Sequence, residues 1–221
     1  MDWRTYIDGY CERLEPGLWA EPINALTNLA FLIVAALLWR PSRGVPIARA
    51  LVLILGLIGI GSGLFHTFAE AWAGLADVLP IAAYVALHIF AANRDYLGFG
   101  TWAALGITAL EFAAIAAVGS SPVFAWLGGS GAYAPIPCLI ALYAVILARS
   151  APATARGLAI GAALLALSIT FRALDAPLCG TLPFGTHFLW HILNALMLGH
   201  MIRVYLAHIA EARLAGRADG R

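Results

Sequence analysis

The chain has 221 residues, of which 62% are hydrophobic and 11% charged, with a formal net charge of +1. A soluble domain of this length cannot bury that much apolar side chain, so composition excludes an ordinary water-soluble protein and indicates an integral membrane protein. The near-zero charge, without an acidic or basic run, gives no footing for nucleic acid, and no required protein partner is evident.

Residues 1–22, "MDWRTYIDGYCERLEPGLWAEP", form a polar, mildly acidic segment. It lacks the basic-then-apolar pattern of a cleavable signal and is expected to stay on the protein. A hydrocarbon core about 30 Å thick needs roughly 20 apolar residues of helix. Seven such runs are predicted, at about 23–39, 47–67, 75–93, 102–118, 133–148, 157–174 and 184–207, leaving residues 208–221 as a tail. The fifth carries Pro135 and Pro137 at its start. Turn-rich stretches separate the runs, among them "RPSRGVP", "RDYLGFG", "GSSPVFAWLGGSGA" and "RSAPATAR". The predicted fold is all-α, a single domain of seven transmembrane helices.

All thirteen basic residues are Arg. Ten of them (Arg40, Arg43, Arg49, Arg94, Arg149, Arg156, Arg203, Arg213, Arg217 and Arg221) follow the odd-numbered spans, and only Arg4, Arg13 and Arg172 fall on the other side. The positive-inside rule then predicts a cytoplasmic C-terminus and an external N-terminus.

Ionisable groups inside a membrane are costly and tend to mark function. With this topology His66 at the end of span two, Asp77 at the start of span three, and His187 and His191 at the start of span seven share one depth near the outer face. Gly59, Ser62, Gly63 and His66 lie on one helical face, with Ser62 one turn deeper than His66. His187 and His191, four apart, can direct nitrogens at one ion, and His66 would supply a third. Three nitrogens with an open position is the pattern of catalytic zinc, which acidifies water and polarises a carbonyl. Asp77 could then take a proton, and Ser62 could bond the water or an oxyanion. The plainer reading stays open at this point: interhelical packing for the His pair, a helix N-terminal carboxylate for Asp77, a packing hydroxyl for Ser62. Asn24 and Asn28 read as interhelical hydrogen-bonding residues. His200 and His208 lie about 14 and 26 Å beyond His191 along the helix, and with His88 they read as packing residues.

The blocks "YCERLEPGLWAEPINALTNLAF", "GSGLFHTFAEAWAGLADVLP", "FRALDAPLC" and "THFLWHILNALMLGH" together resemble the alkaline ceramidases, part of a superfamily of seven-span hydrolases that includes adiponectin-receptor-type proteins. The resemblance covers most of the chain as ordered blocks. It implies zinc held by His66, His187 and His191, a metal-bound water attacking a ceramide amide, Asp77 exchanging the proton and Ser62 stabilising the oxyanion. It further implies an N-terminal calcium site, for which Asp8, Glu12, Glu15 and Glu21 are candidates with a carbonyl near Tyr10. Here the interval between the CE and AE pairs is short and the asparagine after CE is missing. A solvated acidic segment capped by Glu21 is the other reading. Relatives are expected to join these segments covalently, which implies a Cys11–Cys179 disulfide on the outer side, two unpaired buried cysteines being the alternative. Cys138, inside the fifth run, reads as a reduced core thiol.

The expected function is hydrolysis of a ceramide-like lipid by a multi-pass protein whose site faces away from the cytoplasm; in a bacterium that is the inner membrane. The partners are then the lipid substrate and the bilayer. A seven-span receptor with structural zinc, and a hydrolase of another lipid amide or ester, are the alternatives. Retinal pumping is excluded, because no Lys exists to form the Schiff base.

Overall fold

Prolines that cannot donate a backbone hydrogen bond open four of the helices at their first turn, and glycine-containing turns close several others. The computed structural model describes residues 2–219. In chain order the helices are α1 (Pro22–Thr27), α2 (Leu29–Trp39), α3 (Pro46–Phe68), α4 (Ala71–Ala91), α5 (Thr101–Gly119), α6 (Pro135–Leu147), α7 (Pro152–Leu178) and α8 (His187–Asp219). A π-helical turn, Ala92–Tyr96, extends α4, and a 3₁₀ stretch, Pro122–Tyr133, precedes α6. The chain is an all-α, multi-pass membrane protein.

Six segments are long and apolar enough to cross a bilayer, with α1 and α2 together forming the first. The seventh depends on the 3₁₀ stretch and α6, which bend 76° relative to each other. The predicted fifth span corresponds to α6, whose 13 residues are too few to cross alone, so with the 3₁₀ stretch it forms either a bent span or a re-entrant loop. The stretch "GSSPVFAWLGGSGA", expected as a loop, is largely 3₁₀ helix. Residues from 208 onward, expected as a tail, continue α8 to Asp219. Arg221, counted above for orientation, lies outside the described residues.

Burial identifies the centre of the bundle. Half of the apolar window of α8 is buried, against 11% for α5. Helix α8 packs on α7, α2 and α3, and α3 packs along α4. Side chains such as Leu37, Leu110 and Val145 point outward, where lipid replaces water as the neighbour. Cys138 belongs to this outer surface: it is an exposed free thiol, not the core thiol expected, because it falls on the face of α6 that carries the exposed Leu142 and Val145.

Two glycines permit the approaches on which the site depends. A Cβ at Gly61 would overlap the Ala76 carbonyl, so this position lets α3 lie directly on the α4 backbone beside Asp77. Gly185 has φ +63°, and a Cβ there would collide with the Asp175 carboxylate. Ahead of α1, the N-terminal segment crosses the α3–α4 connection. Ile7 donates its N–H to the Ala69 carbonyl (2.7 Å), and Ala71 donates to that of Thr5 (3.0 Å).

Candidate metal centre

His66 ends α3, and His187 and His191 occupy the first two turns of α8. All three rings are buried, each 1% exposed. One ligating atom of each lies within 4.8 Å of the others, the only such grouping of metal-binding side chains among the described residues. Ring centroids are 5.1 Å apart for His66–His187, 4.7 Å for His66–His191 and 4.6 Å for His187–His191.

The hydrogen bonds on the far sides of the rings decide which nitrogens face inward. The Glu21 carboxylate meets His66 Nδ1 at 2.6 Å. An ionised carboxylate only accepts, so Nδ1 carries the proton and Nε2 keeps its lone pair. His191 Nδ1 meets Thr27 Oγ1 at 2.9 Å. The Thr27 hydroxyl proton is directed at the Ile23 carbonyl (2.8 Å), so Oγ1 accepts from Nδ1–H and His191 Nε2 is likewise free. His66 Nε2, His191 Nε2 and His187 Nδ1 are buried without a hydrogen-bond partner. Buried polar atoms normally find partners, and three orphaned imidazole nitrogens converging on one point form a donor set that a divalent metal satisfies. The residues therefore fit a bound ion. Hydrogen bonds that orient the ligands from behind are a regular part of such sites.

The N-terminal segment holds this arrangement from above. Arg13 is buried; its Nε bonds the Glu21 carboxylate, and its Nη2 donates to the His66 carbonyl at 3.0 Å. Burial alone would push the Glu21 pKa up, but hydrogen bonds from His66, Arg13 and Asn24 hold it below the usual carboxylate value. Asp175 on α7 accepts from the backbone N–H groups of Cys11 (2.9 Å), Thr186 (2.7 Å) and His187 (2.9 Å). It thereby satisfies otherwise orphaned donors at the start of α8 and fastens the N-terminal segment to it. The Cys11–Cys179 disulfide is present one turn further along, with Cα atoms 5.3 Å apart.

Tyr10 stacks on His187 with ring centroids 3.6 Å apart. Its phenol is pushed up to about 12, chiefly by burial, against the opposing charge of Arg172. Tyr10, Asp77, Arg172, His187, Tyr133 and Trp190 share the wall of a cavity of about 390 Å³ beside the histidines. Asp77 thus lies on the cavity wall and outside the ligand cluster. Ser62 is buried one turn from His66 and close to the Asp77 carboxylate.

The candidate calcium residues are not gathered into a cage. Glu21 is committed to His66 and Arg13, and Glu12 accepts the N–H groups of Ile23 (2.7 Å) and Asn24 (2.8 Å), capping α1. Glu12 rather than Glu21 is the cap, because the Glu21 carboxylate is drawn inward by two cationic or proton-bearing partners. Asp8 and Glu15 are exposed, and Tyr10 stacks on His187. Sequence reasoning did not find the orienting roles of Glu21, Thr27, Arg13 and Asp175. The available signals were Glu21, a carboxylate near a helix start, and Asp175, the one acidic residue of α7. No protein-family model matches the chain, and no curated protein matches it.

Proposed function

We propose that this protein is a zinc-dependent hydrolase of membrane lipid amides, acting on ceramide or a similar sphingolipid to give a sphingoid base and a fatty acid. The observation that carries the reading is the convergence of three unpartnered, buried imidazole nitrogens next to a cavity bearing a carboxylate. The ceramide-like substrate class comes from the four sequence blocks. A lipid substrate suits a site embedded in a bundle that spans the bilayer, and the distribution of Arg supports the reading that it faces the extracytoplasmic side.

A zinc ion held by His66, His187 and His191 would polarise the amide carbonyl and lower the pKa of water to about 7. The chain's own groups do the remainder. Asp77 accepts the proton of the attacking water and returns it to the departing amine nitrogen, so the C–N bond breaks without expelling an amide anion. Ser62 Oγ donates toward the carbonyl oxygen as negative charge develops there. Glu21 and Thr27 hold the rings of His66 and His191 in one tautomer. The aromatic wall of Tyr10, Tyr133 and Trp190 keeps bulk water from the reacting bond.

The test is metal analysis together with hydrolysis of a fluorescent ceramide by detergent-purified protein, with Asp77→Asn and His191→Ala alongside. The expected result is about one zinc per chain, turnover lost in both variants, and metal retained in Asp77→Asn. Zinc without turnover of ceramide, other lipid amides or lipid esters would favour a receptor with structural zinc. Absence of metal from the wild type would overturn both.

A further inference from the structure

The cavity contains a cation outside any close ion pair: the carboxylate on the same wall, Asp77, lies more than 4.0 Å from it. Arg172 projects from α7 onto the wall it shares with Asp77 and His187, and also lines the adjoining cavity of about 510 Å³ formed with Ala125–Ser130 of the 3₁₀ stretch. Among the described residues no carboxylate lies within 4.0 Å of its guanidinium; the nearest acidic residue along the helix, Asp175, spends its oxygens on backbone N–H groups. Two of its five N–H donors are taken, Nη1 by Ser130 Oγ (2.9 Å) and Nη2 by Tyr10 OH (3.2 Å). Aromatic faces surround the rest: the guanidinium carbon lies 5.3 Å from the centroid of Tyr133, 5.7 Å from Trp190 and 5.9 Å from Tyr10. Aromatic faces attract a cation but do not neutralise it, and a charge withdrawn from water without an ion partner is costly. A guanidinium with free donors on a cavity wall is arranged for bidentate capture of a carboxylate or phosphate.

The direction of the cavity assigns the anion to one end of the ligand. Ile81, Tyr133 and Trp190 lead from the polar cavity into a narrow apolar one walled by Tyr84, Leu139, Leu158 and Leu198. A hydrocarbon tail fits that side. Arg172 lines the polar cavity and the adjoining one of about 510 Å³ but not the apolar one; it is joined to His187 through the Tyr10 ring and backed by the N-terminal segment. We infer that Arg172 is the headgroup-recognition residue of the site and that the preferred lipid amide carries an anionic headgroup, a carboxylate or a phosphate, rather than the neutral hydroxyl headgroup of ceramide. This rests on the hydrolase reading for the word substrate, although the anion site itself does not.

The test compares kcat/KM of the wild type for a neutral ceramide, a ceramide phosphate and an N-acyl amino acid of equal chain length. At least one anionic substrate should exceed the neutral one by about 10-fold or more, a size typical of a charge-assisted contact. In Arg172→Gln that ratio should collapse toward about one, mainly through KM, and Arg172→Lys should restore part of it. Whichever anionic substrate responds separates phosphate from carboxylate. A parallel thermal-shift measurement uses dodecyl phosphate, dodecanoate and dodecanol on the same proteins and needs no activity. Stabilisation by an anionic amphiphile over dodecanol, lost in Arg172→Gln, with no hydrolysis at all, would keep the anion site and remove the hydrolase. Equal response to charged and neutral probes, or anion selectivity that survives in Arg172→Gln, would overturn the inference.

Discussion

The two ends of this bundle are both polar and both rich in histidine, yet they are built on opposite rules. At the end formed by His187, Asp77 and the N-terminal segment, each imidazole of the cluster leaves an inward nitrogen unpartnered. At the other end His208 is bonded on both sides, to Thr154 Oγ1 (2.9 Å) and the Asp95 carbonyl (3.1 Å), and His200 meets the Gly157 carbonyl at 2.8 Å. Asp95 there receives Tyr205 OH at 2.6 Å and Arg94 Nε at 2.8 Å, and Glu111 receives Asn93 Nδ2 and Tyr143 OH. A polar network whose members mostly satisfy one another holds helices together. Three lone pairs brought within 4.8 Å of one another make a donor set for a cation. Neither histidine content nor an unpartnered nitrogen tells the ends apart, since both ring nitrogens of His88 and the Tyr96 hydroxyl also lack partners; convergence does.

The comparison can be broken most directly at His191. In His191→Ala, metal content should fall from about one equivalent per chain to near zero, read by elemental analysis after dialysis. Loss of Cys179 comes next. Cys179→Ser opens a link between residues 168 apart in sequence and should lower stability by about 2–4 kcal/mol, measured by denaturant titration in detergent. Glu21→Gln should reduce metal affinity by about 10- to 100-fold without abolishing binding, as measured by chelator competition, because it removes the group that fixes the His66 tautomer. The same residue sets a pH dependence. Its folded-state pKa lies below its unfolded value, so its contribution is complete above the ordinary carboxylate range near about 4.3 and is lost as pH falls through the folded value. A shallower acid limb in the stability profile of Glu21→Gln checks this. The smallest effect belongs to the closed end. His208→Ala should leave metal affinity unchanged and cost about 1 kcal/mol, the scale of ordinary buried hydrogen bonds. An equal loss of metal in His208→Ala and Glu21→Gln would erase the distinction between the ends.

What could be read from the sequence followed from periodicity and topology. The histidine pair is four apart, and once the spans alternate in direction His66 must arrive at the same end; the structure brings the three together. The all-α bundle was similarly legible, because apolar length acts locally, although α7 begins at Pro152, inside a stretch read as a turn. The bend before α6 was not legible. Pro135 and Pro137 marked the place, but the size of the bend depends on how the 3₁₀ stretch packs on α5 and α7. Glu21 drew attention as a carboxylate near a helix start, and its partner His66, 45 residues away, could not be inferred from spacing. Thr27 looks in sequence like any helix hydroxyl bonding back to its own turn, which it also is. Arg172 entered the sequence argument only as a charge to be counted for orientation. Its meaning lies in the cavity wall it shares with Tyr10, Asp77, Tyr133 and Trp190, residues from separate segments that no sequence pattern links.

The disulfide carries a consequence that belongs to linkage rather than to strength. The bridge fastens Cys11, and the strand of chain from Cys11 through Arg13 to Glu21 is what holds the His66 ring in position. Redox state and ion occupancy are therefore two ligands acting on one piece of backbone. Such couplings are reciprocal: by whatever factor closing the bridge tightens the grip on the ion, the bound ion makes the bridge harder to reduce by the same factor. A reducing compartment and a metal-poor one would then weaken this protein along a single shared coordinate.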